Sequence, residues 1–206
     1  AWITREFTTR RINPTNPETS LLLLKPTGQV AHEGGVLMRV GSREYRVLLD
    51  WIRAGAPGVS KSDPTATRLQ VTPGSHRLKP GESVALAVKA EYSDGQTKDV
   101  TWLTKFESND AGVASVSPAG VVKMERAGET AIRAMFQGQV AVALVTSPYD
   151  QNVKADWYRA KNNVIDEHVF AKLAELRLEP SEACDDAAFI RRAFLDAMGI
   201  LPTPAE

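Results

Sequence analysis

The 206-residue chain has one cysteine, Cys184, and no excess of charge of either sign. A lone thiol excludes an intrachain disulfide and a C-x-x-C-H attachment site for a c-type haem within these residues. Cys184 itself is expected to be a small, half-buried residue near a helix start. The 25 basic side chains balance 25 acidic ones, which argues against a broad electrostatic hold on nucleic acid or anionic lipid. No apolar run nears the ~20 residues that cross a bilayer, and Leu21 to Leu24 is far too short. Ala1 to Arg11 is polar and basic without an apolar segment, so no signal peptide is expected. No Ser/His/Asp set, carboxylate pair or phosphate-cradling loop stands at usable spacing, so a non-enzymatic protein is expected.

What the chain does contain is a strictly alternating stretch, Ser83 to Tyr92. Val84, Leu86, Val88, Ala90 and Tyr92 share one parity and would point to one face of an extended chain, with Lys89 and Glu91 on the other. Similar short runs surround it, each bounded by Gly, Pro, Asp or Asn. Leu69 and Val71 come before Pro73-Gly74. Asp99 to Leu103 follows the Ser93-Asp94-Gly95-Gln96 hairpin signal, with Val100 and Trp102 on one parity. Then come Val113 to Ser117, Val121 to Met124, Ala131 to Phe136, and a last strand on which Val140, Val142 and Leu144 alternate. Such spacing predicts a β-sandwich over residues 67–147. The core expected from parity is Val84, Leu86, Val88, Trp102, Val116, Ile132, Phe136, Val142 and Leu144. Burial contributes roughly 1.5–3 kcal/mol for each such side chain, enough for the module to fold alone.

The flanks follow another period. Residues 1–57 show little pattern until Ser42, a good N-cap, with Glu44 in the first turn and Tyr45, Leu48, Leu49 and Ile52 as one stripe. Gly55 and Pro57 end that helix. A helix of this length does not stand alone in water, so it is expected to dock on the β module or on a part of a longer protein. Residues 58–66 read as a linker. In residues 148–206, Asp156 is expected to cap a helix carrying Ile165, Val169, Leu173 and Leu176. Asp185 or Asp186 starts another, with Ile190, Ala193, Phe194, Ala197 and Met198 on one side, and Gly199, Pro202 and Pro204 stop it. This segment looks like the start of a truncated downstream domain.

Several ordered motifs carry a family resemblance. Asp99-Val100-Thr101-Trp102, Ser108-Asn109-Asp110, Val113-Ala114-Ser115-Val116, Gly120-Val121-Val122 and Gly128 to Ala134 make residues of about 64–147 resemble the bacterial Ig-like domain of group 2. The gap between Trp102 and Ser108 is longer than in that family. Ser20 to Lys25, His32 with Gly34-Gly35, and Tyr45 through Asp50-Trp51-Ile52-Arg53-Ala54-Gly55-Ala56-Pro57 resemble the C-terminal end of a planctomycete-type cytochrome c domain. Phe189-Ile190-Arg191-Arg192, Leu195-Asp196 and Gly199 to Pro204 resemble the opening of the uncharacterised domain that often follows it. The resemblance implies a secreted, periplasmic or extracellular parent protein whose haem motif lies upstream of Ala1.

The candidate sites are few. His32, in a glycine-rich loop, and Met38, a thioether, are weak candidates for a haem-proximal role; otherwise they are a loop histidine and a core filler. His76 and His168 have no second ligand at metal spacing and are expected at the surface. Asp94, Asp99 and Asp110 are the oxygen-rich alternative for calcium, though Asp94 and Asp110 each have a local turn to serve. Arg191 and Arg192 are an anion candidate or a solvated helix face. No cofactor and no metal are assigned. The expectation is a mainly β, Ig-like sandwich with helical flanks, acting as a spacer or a protein- or ligand-binding module. Its partner would be a protein or cell-envelope component; nucleic acid and membrane insertion are not expected. One alternative is a fragment of a c-type cytochrome. Another is a carbohydrate-binding module using Trp102, Tyr92, Phe106 or Phe136, most of which are expected to be buried.

Overall fold

Ser42 accepts a hydrogen bond on Oγ from Tyr45 N at 3.3 Å and so caps the helix Arg43–Arg53 as its sequence predicts. The computed structural model that shows this describes residues 11–154, 156–159 and 163–203. Ala1 to Arg10 and Pro204, to which sequence expectations also attach, lie outside the described residues. Two compact units divide between Asp63 and Pro64.

In the first unit, a one-turn helix α1 (Leu21–Leu24) precedes α2 (Arg43–Arg53). The amphipathic stripe of α2 is largely buried: Tyr45, Leu49 and Ile52 are inside and Leu48 packs at the edge. Part of what it docks on lies within its own unit. Ile12, Leu23 and Met38 cover it from the preceding segment. That segment shows no period because it supplies its apolar residues from the one-turn helix α1 and from loops, held by turns such as Asn13 Oδ1 accepting from Thr15 N and Asn16 N at 3.1 and 3.0 Å. Ser20 is fully buried, and its Oγ accepts from Asn13 N at 3.0 Å.

The second unit is built on ten short strands: β1 (Ala66–Thr72), β2 (Ser75–Arg77), β3 (Ser83–Ala85), β4 (Ala87–Tyr92), β5 (Thr97–Asp99), β6 (Lys105–Ser108), β7 (Ala114–Val116), β8 (Val121–Met124), β9 (Gly128–Phe136) and β10 (Gln139–Ser147). They form sheets of order β1-β4-β5, β2-β10-β9-β6 and β3-β8-β7. All pairings are antiparallel except β2 with β10. Leu69, Val88, Val122, Met124, Ile132, Ala143 and Val145 meet between the layers. This is an Ig-like β-sandwich with helices on both flanks. After it come α3 (Val164–Leu176) and α4 (Asp186–Met198).

The alternating stretch keeps its parity but not its sheet. Leu86 is the break: Val84 pairs with Val122 of β8, whereas Val88 pairs with Val71 of β1. One run of sequence thus serves two sheets, and Leu86, Val88 and Ala90 all remain inside.

Three expectations change. Asp99 to Leu103 is not a strand: β5 ends at Asp99 and Thr101–Leu103 is a 3₁₀ turn, which buries Val100 and leaves Trp102 half-exposed. Asp99 Oδ1 accepts from Thr101 N at 2.9 Å, a local bond that competes with the ladder. Val142 and Leu144 are not core. They are 48% and 40% exposed, and Ala143 and Val145 are inside. Both parities of β10 are apolar, so alternation cannot choose the inner face. Pairing chooses it, placing Ala143 opposite the buried Ile132. Asp156 does not cap the helix of Leu173; Asn163 does, accepting on Oδ1 from Ile165 N and Asp166 N at 2.8 and 3.0 Å. Asp156 pairs instead with Arg159 at 2.7 Å.

Candidate functional site

The most built polar contact in the second unit joins the end of the sandwich to α3. Thr146 on β10 and Glu129 on β9 are cross-strand partners, and Thr146 Oγ1 donates to Glu129 Oε2 at 2.8 Å. Lys172 Nζ of α3 donates to the same oxygen at 2.8 Å and also pairs with Glu175 one turn on. Below them Tyr149 N donates to Leu176 O at 2.9 Å, so the last turn of α3 is tied to the chain leaving β10. Tyr158 OH donates to Leu178 O at 2.8 Å, and its ring lies 6.5 Å from that of Phe170. Partial burial opposes ionisation of Glu129, but the bonds from Lys172 and Thr146 outweigh it and hold the carboxyl below its ordinary range. The same contact, followed by Glu175, raises Lys172. These groups tie α3 to the end of the sandwich.

In the first unit, a cavity of about 430 Å³ has apolar walls from Leu21, Leu22, Pro26 and Leu37, with Lys25 and His32 among its polar groups. His32 Nδ1 stands 3.3 Å from Val30 O. With the proton on Nδ1, Nε2 is the nitrogen available to another group. Met38 is not brought to this cavity; it is 9% exposed in the core beside α2.

The three aspartates are each occupied by their own turns. Asp94 Oδ1 accepts from Gln96 N at 3.0 Å and Asp99 from Thr101 N. Asp110 accepts from Gly112 N at 2.9 Å and meets Arg126 at 3.2 Å. Among the described residues no cluster of three or more His, Cys, Asp or Glu could hold a metal. Trp102, Tyr92, Phe106 and Phe136 are half-buried rather than buried. Tyr92, Phe106 and Phe136 lean on the core because each sits at a strand end or edge. His76 and His168 are exposed. Cys184 is exposed rather than half-buried, since it precedes the N-cap Asp185 on a segment with no buried neighbour in sequence. Arg191 and Arg192 lie on the solvent face of α4. Sequence reasoning missed the Glu129–Lys172 pair, whose members are 43 positions apart and share no motif.

The comparisons with known proteins agree with this geometry. Residues 65–146 match the bacterial Ig-like domain (group 2). Residues 164–206 match a protein family of unknown function, DUF1549. Over 78 residues the chain is 37% identical to an S-layer-related protein of Niallia circulans. That match takes in 38% of this chain and 5% of the relative, so the chain spans a small fraction of that protein's length. The Ig-like match begins one residue before β1 and ends at Thr146 on β10. The second match opens on the first residue of α3. Among the described residues no helix is long and apolar enough to cross a membrane.

Proposed function

We propose that this protein is a non-enzymatic, extracytoplasmic Ig-like module that acts as a spacer in a larger protein, holding the helical segment after it in a fixed relation to the sandwich. The single observation that carries this is the joint: Glu129–Lys172 and Tyr149–Leu176 tie α3 to the strand it follows. A flexible tether would show neither. The S-layer-related relative supports a location at the cell surface and a protein or cell-envelope partner. The test is the distance between spin labels at Thr97→Cys and His168→Cys, both on exposed positions, with Cys184→Ser as background. A narrow distribution is expected. A distribution as broad as that of an unfolded linker defeats the reading.

A second reading rests on the cavity beside His32. Its apolar walls and the oriented imidazole support a cofactor-facing surface in a fragment of an electron-transfer protein. The fit extends to His32 and not to Met38, which is packed away from the cavity. A haem attached through a C-x-x-C-H outside these residues would supply the redox chemistry, and His32 with its Val30 contact would orient toward it. In a longer protein containing that motif, His32→Ala should alter the haem absorption spectrum and Met38→Leu should leave it unchanged. An unaltered spectrum in the first variant counts against this assignment.

A further inference from the structure

Where β10 leaves the sandwich, a cleft of about 450 Å³ opens between the turn after β2 and the end of α3. Its floor is apolar, from Leu78 and Pro148, and its rim carries Arg77, Lys79 and Arg177. All three cations are exposed, and none has an ion-pair partner among the described residues. One carboxylate also lines the cleft, that of Glu82, whose Oε2 accepts from Lys79 N at 2.7 Å within its own turn. In a chain of zero net charge, three cations drawn from two places in the sequence, 77–79 and 177, outnumber the single carboxylate and make a positive concavity of ligand size.

Arg177 adds an independent observation. It ends α3 in the left-handed conformation, φ 58° and ψ 40°. Glycine is the residue of lowest cost there, because an L side chain crowds its own backbone. Gly199 fills the equivalent place at the end of α4. An arginine at this position takes the conformational cost and places a guanidinium on the cleft rim, and strain of this kind gathers at functional sites.

We propose that this cleft is a binding site for an oligoanion, a short polymer bearing two or more carboxylate or phosphate groups. The guanidinium groups of Arg77 and Arg177 take up oxyanion pairs, and Lys79 adds a point charge. The apolar floor fits the uncharged backbone of such a polymer. This rests on the docked α3 of the spacer reading, because Arg177 reaches the cleft only from there.

The test is titration calorimetry of the full 206-residue chain with two probes, trigalacturonate for carboxylates and tripolyphosphate for phosphates, and neutral galactotriose as control. At least one anionic probe is expected to bind, more weakly as salt rises, while galactotriose does not. Arg177→Gly and Arg77→Ala should each weaken binding by about tenfold or more. The Arg177→Gly variant should also melt no lower than the parent, since glycine relieves the left-handed residue; lost binding with retained stability separates a ligand contact from a structural one. Failure of both anionic probes at low salt, or parental affinity in both variants, overturns the proposal. The spin-label distance measured on the same samples keeps the two readings apart. A narrow distribution with no binding defeats the site alone, and a broad one defeats the docked helix on which it depends.

Discussion

The inner face of β10 can be tested by truncating one residue from each parity. Val145 is fully buried, whereas Val142 is 48% exposed. Valine to alanine removes two methyl groups, at about 0.8 kcal/mol each when they leave a buried position. Incomplete collapse of the space behind them raises the cost of Val145→Ala to about 2–3 kcal/mol. Val142 already meets water across nearly half its surface, so Val142→Ala should cost only about 0.8 kcal/mol on the same scale. The gap of roughly 2 kcal/mol is well above the error of a denaturation experiment. Urea unfolding read by hydrogen exchange at the β9 and β10 amides isolates the sandwich from the helical first unit. Equal losses, or a larger loss for Val142→Ala, would refute the register in which Ala143 faces Ile132, because a slip of one residue exchanges the two faces.

Other outcomes follow from single contacts. Gly120 has φ +77°, and a Cβ there would stand 2.9 Å from Phe106 Cζ and 3.3 Å from Leu86 O; Gly120→Ala should destabilise the sandwich by about 2–3 kcal/mol in a thermal or urea melt. Ser108 Oγ is buried without a hydrogen-bond partner among the described residues, so Ser108→Ala should be neutral or stabilising by up to about 1 kcal/mol in the same melts. The Glu129 joint should respond to acid. A carboxyl whose folded pKa is depressed contributes stability above its unfolded value and loses it as pH falls through the folded one. Because Glu129 is depressed, the spin-label distance from the sandwich to α3 should stay narrow at neutral pH and broaden only once pH falls below the ordinary carboxylate range, and Glu129→Gln should broaden it at neutral pH. An acid-insensitive distance would show that Tyr149 and Tyr158 suffice to hold the helix.

Local rules read correctly where one side chain or one turn decides the structure. Ser42 and Asp185 cap the helices that follow them, the latter accepting from Ala188 N at 2.7 Å. Gly95 carries the φ of +79° that the Asp94-Gly95 hairpin calls for. Leu86, Val88 and Ala90 are buried on the parity the alternation names. The candidate sites were less legible. His32 was visible as a residue, but Leu21, Leu22 and Leu37, which wall its cavity, carry no spacing that assembles them.

The amino-acid sequence by itself therefore determined the β architecture, most of its turns and the start of the helices capped by Ser42 and Asp185, because these depend on period two, period 3.6 and the φ preferences of Gly, Pro, Asp and Ser. Only the tertiary structure decided which side of β10 is wet, where one continuous run changes sheets at Leu86, what covers the stripe of α2, and that Lys172 reaches Glu129. Each of those outcomes depends on the pairing of groups distant along the chain. A polypeptide with apolar residues on both parities, or a lone lysine on a helix, specifies no partner until the rest of the molecule has closed around it.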